Sequence, residues 1–201
     1  MFDAVLRPAI DPPLNRAGAW LAGEGITANL LTGAGLAIGL LGAIAIALEH
    51  YILGLLLVIF NRLLDGLDGA VARATKPTDL GGYFDIVADF AFYVSIPLAF
   101  GIASPENLLP ALVLVASFVL TGTSFLAFAV IAAKRGEETQ AHGSKSFFYS
   151  TGLAEGTETI AIFILMAMVP SWFAPLAWGY AALCVLTVFQ RSAMAIAQFR
   201  D

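Results

Sequence analysis

From Thr27 to Ile196 the chain is mostly hydrocarbon, broken by short polar turns and one longer polar loop, Lys134 to Tyr149, into runs close to the ~20 residues that a helix needs to cross a bilayer core. The runs fall at residues 27–48, 51–75, 80–103, 108–133, 150–169 and 173–196. They set the expectation for the fold: an all-α integral membrane protein of six transmembrane helices, with residues 27–196 as the bundle and residues 1–201 as a single domain. Composition agrees, since 59% of residues are hydrophobic and 12% charged, where a soluble domain carries about 25% charged residues. Residues 1–25 mix Phe2, Val5, Leu6, Ile10, Leu14, Trp20 and Leu21 with Arg7 and Arg16. That stretch is too polar to span and suits an amphipathic segment lying in the interface; the alternative is a partly ordered tail broken by Pro8, Pro12 and Pro13. No charged-then-apolar leader pattern opens the chain, so the first apolar run is expected to act as the insertion signal. That run carries Gly33, Gly35, Gly39 and Gly42, small residues that let helices approach closely in lipid.

The formal net charge of −5 conceals a separation, with acids clustered inside the membrane and bases at one surface. Arg7, Arg16, Arg73, Lys76, Lys134, Arg135, Lys145 and Arg200 all fall on the side of the termini, whereas the turns near Glu49, Glu106 and Ser171 hold no Lys or Arg. The positive-inside rule then puts both termini and the acidic cluster in the cytoplasm, with a bacterial cytoplasmic (inner) membrane as the expected location. Nothing resembles a nucleic-acid footprint. The single cysteine, Cys184, excludes an internal disulfide and reads as a small core residue.

Within this hydrocarbon, residues 65–89 place four carboxylates: Asp65, Asp68, Asp85 and Asp89. If Pro77 marks a turn between two helices, Asp68 and Asp85 lie nine and eight residues from it, and Asp65 and Asp89 each lie twelve. Two antiparallel helices would bring them to two matching depths, and offsets of i,i+3 and i,i+4 put each pair on one helix face. An Asp at a helix centre costs about 2.5 to 3.5 kcal/mol to insert, so four of them call for a compensating ligand. The alternative is a structural network in which the aspartates pair with Arg62, Arg73 and Lys76, which explains the matched depths poorly. Hard divalent cations, Mg²⁺ or Mn²⁺, take oxygen ligands and share their shell with substrate phosphates. Two such ions could stabilise the entering and leaving oxygens of a phosphoryl transfer. Gly66 and Gly69 flank Asp68, and Gly81 and Gly82 precede Asp85. Each costs roughly 1 kcal/mol against Ala in a helix, which suggests close approach by a ligand or by a neighbouring helix.

The run Asp65-x2-Asp68-Gly69-x2-Ala72-Arg73, followed by Gly81-x3-Asp85-x3-Asp89, resembles the signature of the CDP-alcohol phosphotransferases, membrane enzymes that build phospholipid headgroups. Seven residues, Ala74 to Leu80, separate Arg73 from Gly81, one fewer than is usual in that family. The resemblance implies a pair of divalent metals held by Asp65, Asp68 and Asp85. Asp89 would complete the shell and act as the general base that takes the proton from the acceptor hydroxyl. The alcohol would attack the phosphorus bearing the lipid, and CMP would leave. Gly69 would let the nucleotide pack on its helix, Arg73 would neutralise nearby phosphate, and Asn29 and Thr32 would border the CDP pocket, unless they are helix caps. The implied partners are a CDP-linked lipid such as CDP-diacylglycerol, a small alcohol acceptor, membrane lipid and a second copy in a homodimer.

The acceptor is less legible. Lys134, Arg135, Lys145 and Arg191 could bind a phosphorylated alcohol, with the positive-inside rule and snorkelling as the competing explanations. Glu155 and Glu158, at i,i+3, could pair with Arg191 or Arg73, contact a cationic or polyhydroxy headgroup, or sit at a hydrated helix start where acids favour the dipole. Two other function classes compete. An intramembrane prenyltransferase also binds Mg-diphosphate on Asp-rich helices, but lacks the Asp-Gly-x2-Ala-Arg run. A metal transporter would place its acids near mid-membrane with access from both sides, whereas the outer halves of these runs are almost purely apolar.

Overall fold

The structure, a computed structural model, describes residues 3–135 and 152–200, the side chains of 3–7 and 9 excepted. The described residues form α1 (Asp3–Gly23), α2 (Ala28–Ala47), α3 (Tyr51–Ala74), α4 (Asp79–Ala103), α5 (Leu108–Lys134), α6 (Gly156–Met168) and α7 (Phe173–Phe199). Single 3-10 turns over Pro105–Asn107 and Pro170–Trp172 lead into α5 and α7. Side-chain caps begin the two helices that matter most for the site. The Thr27 hydroxyl accepts from Leu30 N at 3.3 Å to start α2, and the Thr78 hydroxyl accepts from Gly81 N at 3.0 Å to start α4.

The expectation of six transmembrane helices is not met. Among the described residues, four helical segments are long and apolar enough to cross a membrane: Ala28–Ala47, Asp79–Ala103, Pro105–Lys134 and Pro170–Phe199. Helix α3 is long enough, but Arg62, Asp65, Asp68 and Arg73 all lie within it. Helix α6 has 13 residues, about 20 Å at 1.5 Å per residue, against a hydrocarbon core of about 30 Å. The run expected to begin at residue 150 becomes helical only at Gly156, because the backbone before it bonds elsewhere. Leu153 N and Ala154 N donate to Thr187 Oγ1 at 3.1 and 2.9 Å, and Gly152 N donates to Glu155 Oε1 at 2.8 Å.

Helix α2 is the common neighbour of α3 and α4, which scarcely touch each other directly. A face of α2 without side chains makes this possible. A Cβ on Gly35 or Gly42 would lie 3.5 or 3.2 Å from the Cβ of Leu64 or Leu57 on α3, and one on Gly39 would lie 2.7 Å from Phe92 Cδ2 on α4. Gly33, expected to share this role, faces open space. Helix α1 lies against the outer side of α3, where Gly18 meets Ala70 and Val71, and Leu14 meets Gly66. Gly66 is thus a packing position for α1. On the other side α5 packs on α4 and α7, and α6 on α3.

The core is dominated by rings. Phe92, Phe100, Phe163 and Phe173 are fully buried. Phe100 stacks on Phe173 at 4.5 Å and on Tyr51 at 5.8 Å between centroids, and Phe163 meets Phe92 and Phe118 edge-on at 6.0 Å each. Such pairs contribute about 0.5–1.5 kcal/mol each beyond area burial. Cys184 is buried among them, consistent with a small core residue.

Candidate active site

The splay between α3 and α4 leaves a small cleft floored by α2. Asp65 and Asp68 enter it from α3, Asp89 from α4 and Thr32 from α2. Asp65, Asp68 and Asp85 each present a carboxylate oxygen within 4.8 Å of the others. Exposure grades across the set: Asp68 is buried, Asp65 and Asp89 are half-buried and Asp85 is exposed. The Thr32 hydroxyl, one turn into α2, donates to Asp68 Oδ2 at 2.6 Å and fixes that carboxylate. Three hard oxygen donors from two helices, one of them oriented by a hydroxyl behind it, fit a divalent cation.

Asp89 is held differently. Arg62 Nη1 donates to Asp89 Oδ1 at 2.9 Å and lies 3.6 Å from Asp65 Oδ1. The guanidinium is fixed on its other edge, where Nε donates to Asn61 Oδ1 at 2.6 Å, and its plane lies 4.3 Å from the Phe92 ring centroid. Asn61 in turn donates from Nδ2 to the carbonyl of Gly35 at 2.7 Å. A polar chain therefore runs from the α2 backbone through α3 to the last acid on α4. From the sequence, Arg62 stood only as one member of a salt-bridge network, and Asn61 only as a faint likeness, in Asn61-x3-Asp65-x2-Asp68, to the prenyltransferase motif. Both carried a signal: Arg62 stands one turn before Asp65 on the same face, and an Asn inside an apolar run needs a partner.

The remaining candidates divide into groups. Gly69 faces Arg73, whose Nη1 lies 3.2 Å from the point a Gly69 Cβ would take. Arg73 itself is exposed and turned towards α1, donating to Asn15 Oδ1 from Nε at 3.2 Å and Nη2 at 2.9 Å. Asn15 had no place in the sequence reading. Asn29, exposed in the first turn of α2, has its Oδ1 beside Gly81 at the start of α4, while Thr27 is the cap of α2. Arg191 is buried on α7, donating from Nη1 to Thr121 O at 2.9 Å and to Ser124 Oγ at 2.8 Å. Gly152 lies between Arg191 Nη2 and Glu155 Oε1, and Glu158 follows in the first turn of α6. Tyr93 stands between this group and the acids, with its ring 5.7 Å from the Arg62 guanidinium and its hydroxyl 3.7 Å from the Cβ point of Gly156. Lys134 is exposed in the last turn of α5, and Arg135 donates to Phe199 O at 2.9 Å, tying α5 to α7. Lys145 lies outside the described residues.

Known proteins are similar to this chain in sequence and in fold. Inner membrane protein YnjF of Escherichia coli strain K12 is 47% identical over 192 residues, covering 95% of this chain and 93% of that one. Archaetidylinositol phosphate synthase of Pyrococcus horikoshii is 42% identical over 99 residues, 49% of this chain and 52% of that one. Among solved structures, phosphatidylinositol phosphate synthase of Mycobacterium tuberculosis with CDP-DAG bound has a similar fold. Its TM-score is 0.66 at 22% identity, over 91% of this chain and 93% of that one. The same enzyme with manganese and citrate gives a TM-score of 0.65 at 21% identity, over 90% and 88%. Residues 25–197 match the profile of the CDP-alcohol phosphatidyltransferases. The chain belongs to that family, whose members transfer a phosphatidyl group from a CDP-diacylglycerol-like donor to a polar alcohol.

Proposed function

We propose that this protein uses the cleft between α3 and α4 to transfer a phosphatidyl group from CDP-diacylglycerol to the hydroxyl of a small polar alcohol, releasing CMP. The observation that carries the reading is the meeting of Asp65, Asp68 and Asp85 within 4.8 Å, with Asp89 next to them on the Arg62 guanidinium. Asp65, Asp68, Asp85 and Asp89 would hold two divalent ions, Mg²⁺ or Mn²⁺, which when bound neutralise the diphosphate and polarise the phosphorus under attack. Asp89 receives the proton of the acceptor hydroxyl. Its carboxylate is oriented by the hydrogen bond from Arg62 Nη1 to Oδ1, which holds it in place for that transfer. Gly69 leaves room for the nucleotide against α3, Arg73 lies within reach of the same turn, and Asn29 and Thr32 line the α2 side. Arg191, Lys134, Arg135, Lys145, Glu155 and Glu158 are the acceptor-side set to be varied. The names of two of the relatives point to phosphorylated inositol as one acceptor class to include.

The site stands at the end of the bundle where Arg16, Arg73, Lys76, Lys134, Arg135 and Arg200 gather, so we infer that the active site and both termini face the cytoplasm. The YnjF relationship supports a bacterial inner membrane.

The test is CMP release by purified protein given CDP-diacylglycerol, Mg²⁺ or Mn²⁺, and a panel of free and phosphorylated alcohols. Release is expected with one acceptor class, and Asp89→Asn is expected to lower it about 10²–10⁴-fold with the fold intact. Release that fails with every alcohol, or an Asp89→Asn protein as active as the parent, would overturn the reading.

A further inference from the structure

The acids share an internal cation. Arg62 Nη1 stands 2.9 Å from Asp89 Oδ1 and 3.6 Å from Asp65 Oδ1, bridging the first acid of α3 and the last acid of α4. The side chain is 15% exposed and braced on three sides: by Asn61 at Nε, by the Phe92 ring at 4.3 Å and by the Tyr93 ring at 5.7 Å. Asn61, 2% exposed and bonded to the Gly35 carbonyl, cannot turn away without leaving a buried amide unsatisfied. The guanidinium is therefore built into this place rather than resting there.

Asp65 belongs to two sets at once: to the trio with Asp68 and Asp85, and to the pair with Asp89 that Arg62 spans. A divalent ion bound by the trio can sit with Arg62 in place. A further ion held between Asp65 and Asp89 would have to share both carboxylates with Nη1 and would meet a like charge a few ångströms away. We propose that Arg62 is a resident counter-cation occupying the place of the second ion. One ion then enters at Asp65, Asp68 and Asp85, and the other only as the guanidinium gives up Asp89. The inference rests on the two-ion reading above. It makes Arg62 a positioning residue: it keeps Asp89 oriented and charge-compensated until the site is loaded, and it sets the order of loading.

The experiment is a Mn²⁺ titration of the full-length protein in detergent, with free Mn²⁺ read by electron paramagnetic resonance, comparing the parent with Arg62→Gln and Arg62→Met. The parent should bind two ions with well-separated affinities, or only the tighter one in the accessible range. In Arg62→Gln the second ion should tighten more than the first, narrowing the gap by at least about tenfold, because a like charge at contact distance is removed. A gap that does not change, a single ion in both proteins, or loss of the second ion in Arg62→Gln would overturn the proposal. Should Arg62→Gln not fold, Arg62→Met decides: it keeps much of the side chain's length and apolar packing without the charge, so the gap narrows, and an unchanged gap refutes the role. A parent that binds no Mn²⁺ at all would instead remove the metal reading beneath it.

Discussion

Around the four aspartates, neighbouring helices meet through single directional contacts: Thr32 to Asp68, Asn61 to Gly35, Arg62 to Asp89, Arg73 to Asn15. At the other end of the same helices, Tyr51 of α3, Phe100 of α4 and Phe173 of α7 stack ring on ring. Where a contact of the first kind ends on a carboxylate or on the exposed Arg73, it can be exchanged for a bond to an ion or a phosphate, because each polar partner finds another. The second has no substitute once it is lost. The bundle therefore separates its duties along its length, anchoring itself at the ring-lined end and keeping the acid-lined end open between two helices whose backbones stand apart and which meet there through Arg62.

This separation can be broken from either end. The largest effect should come from Phe173→Ala, which empties a fully buried site under the Phe100 stack. A loss of about 3–5 kcal/mol is expected, read as a fall in the melting temperature of the detergent-solubilised protein, while CMP release per folded molecule stays unchanged. A fall in specific activity equal to that of an acid variant would mean that the two ends are not separate. Thr32→Val should act oppositely. It removes the hydroxyl behind Asp68 and is expected to weaken Mn²⁺ binding about 10–100-fold, with little change in the melting temperature without metal. The smallest effect is expected from Asn15→Ala, which frees an exposed Arg73 from α1. Two exposed hydrogen bonds are lost, at about 0.5 kcal/mol each, which corresponds to a rise of up to about fivefold in KM for CDP-diacylglycerol with kcat unaltered; a change in kcat would draw Arg73 into the chemical step.

Much of this was legible in the chain. The run at residues 51–75 became Tyr51–Ala74, and the spacing about Pro77 anticipated that aspartates from two helices would meet. Two things were not legible. Sequence spacing gives depth along a helix but not the lateral gap between helices, so nothing in residues 65–89 reveals that α2 separates α3 from α4. Hydropathy sums side chains without asking what the backbone bonds to, so the fifth run as a whole concealed an opening segment whose amides go to Thr187 and Glu155. Arg62 was legible as a partner of the aspartates but not as the bridge between Asp65 and Asp89, since a cation one turn from an acid on its own helix does not single out a second acid on another.

Gly39 gives the site an unusual dependence on a hydrogen atom. The point its Cβ would take lies 2.7 Å from Phe92 and 3.0 Å from Asn61, the two groups that brace Arg62 from below and from the side. A methyl group there would push on both, and through them on the cation and on Asp89, without touching any acid. Gly33, on the same helix with open space beside it, transmits nothing of the kind. Sequence drift along this one helix is therefore judged unevenly: some glycines are free to vary, and this one is policed by a reaction centre it never contacts.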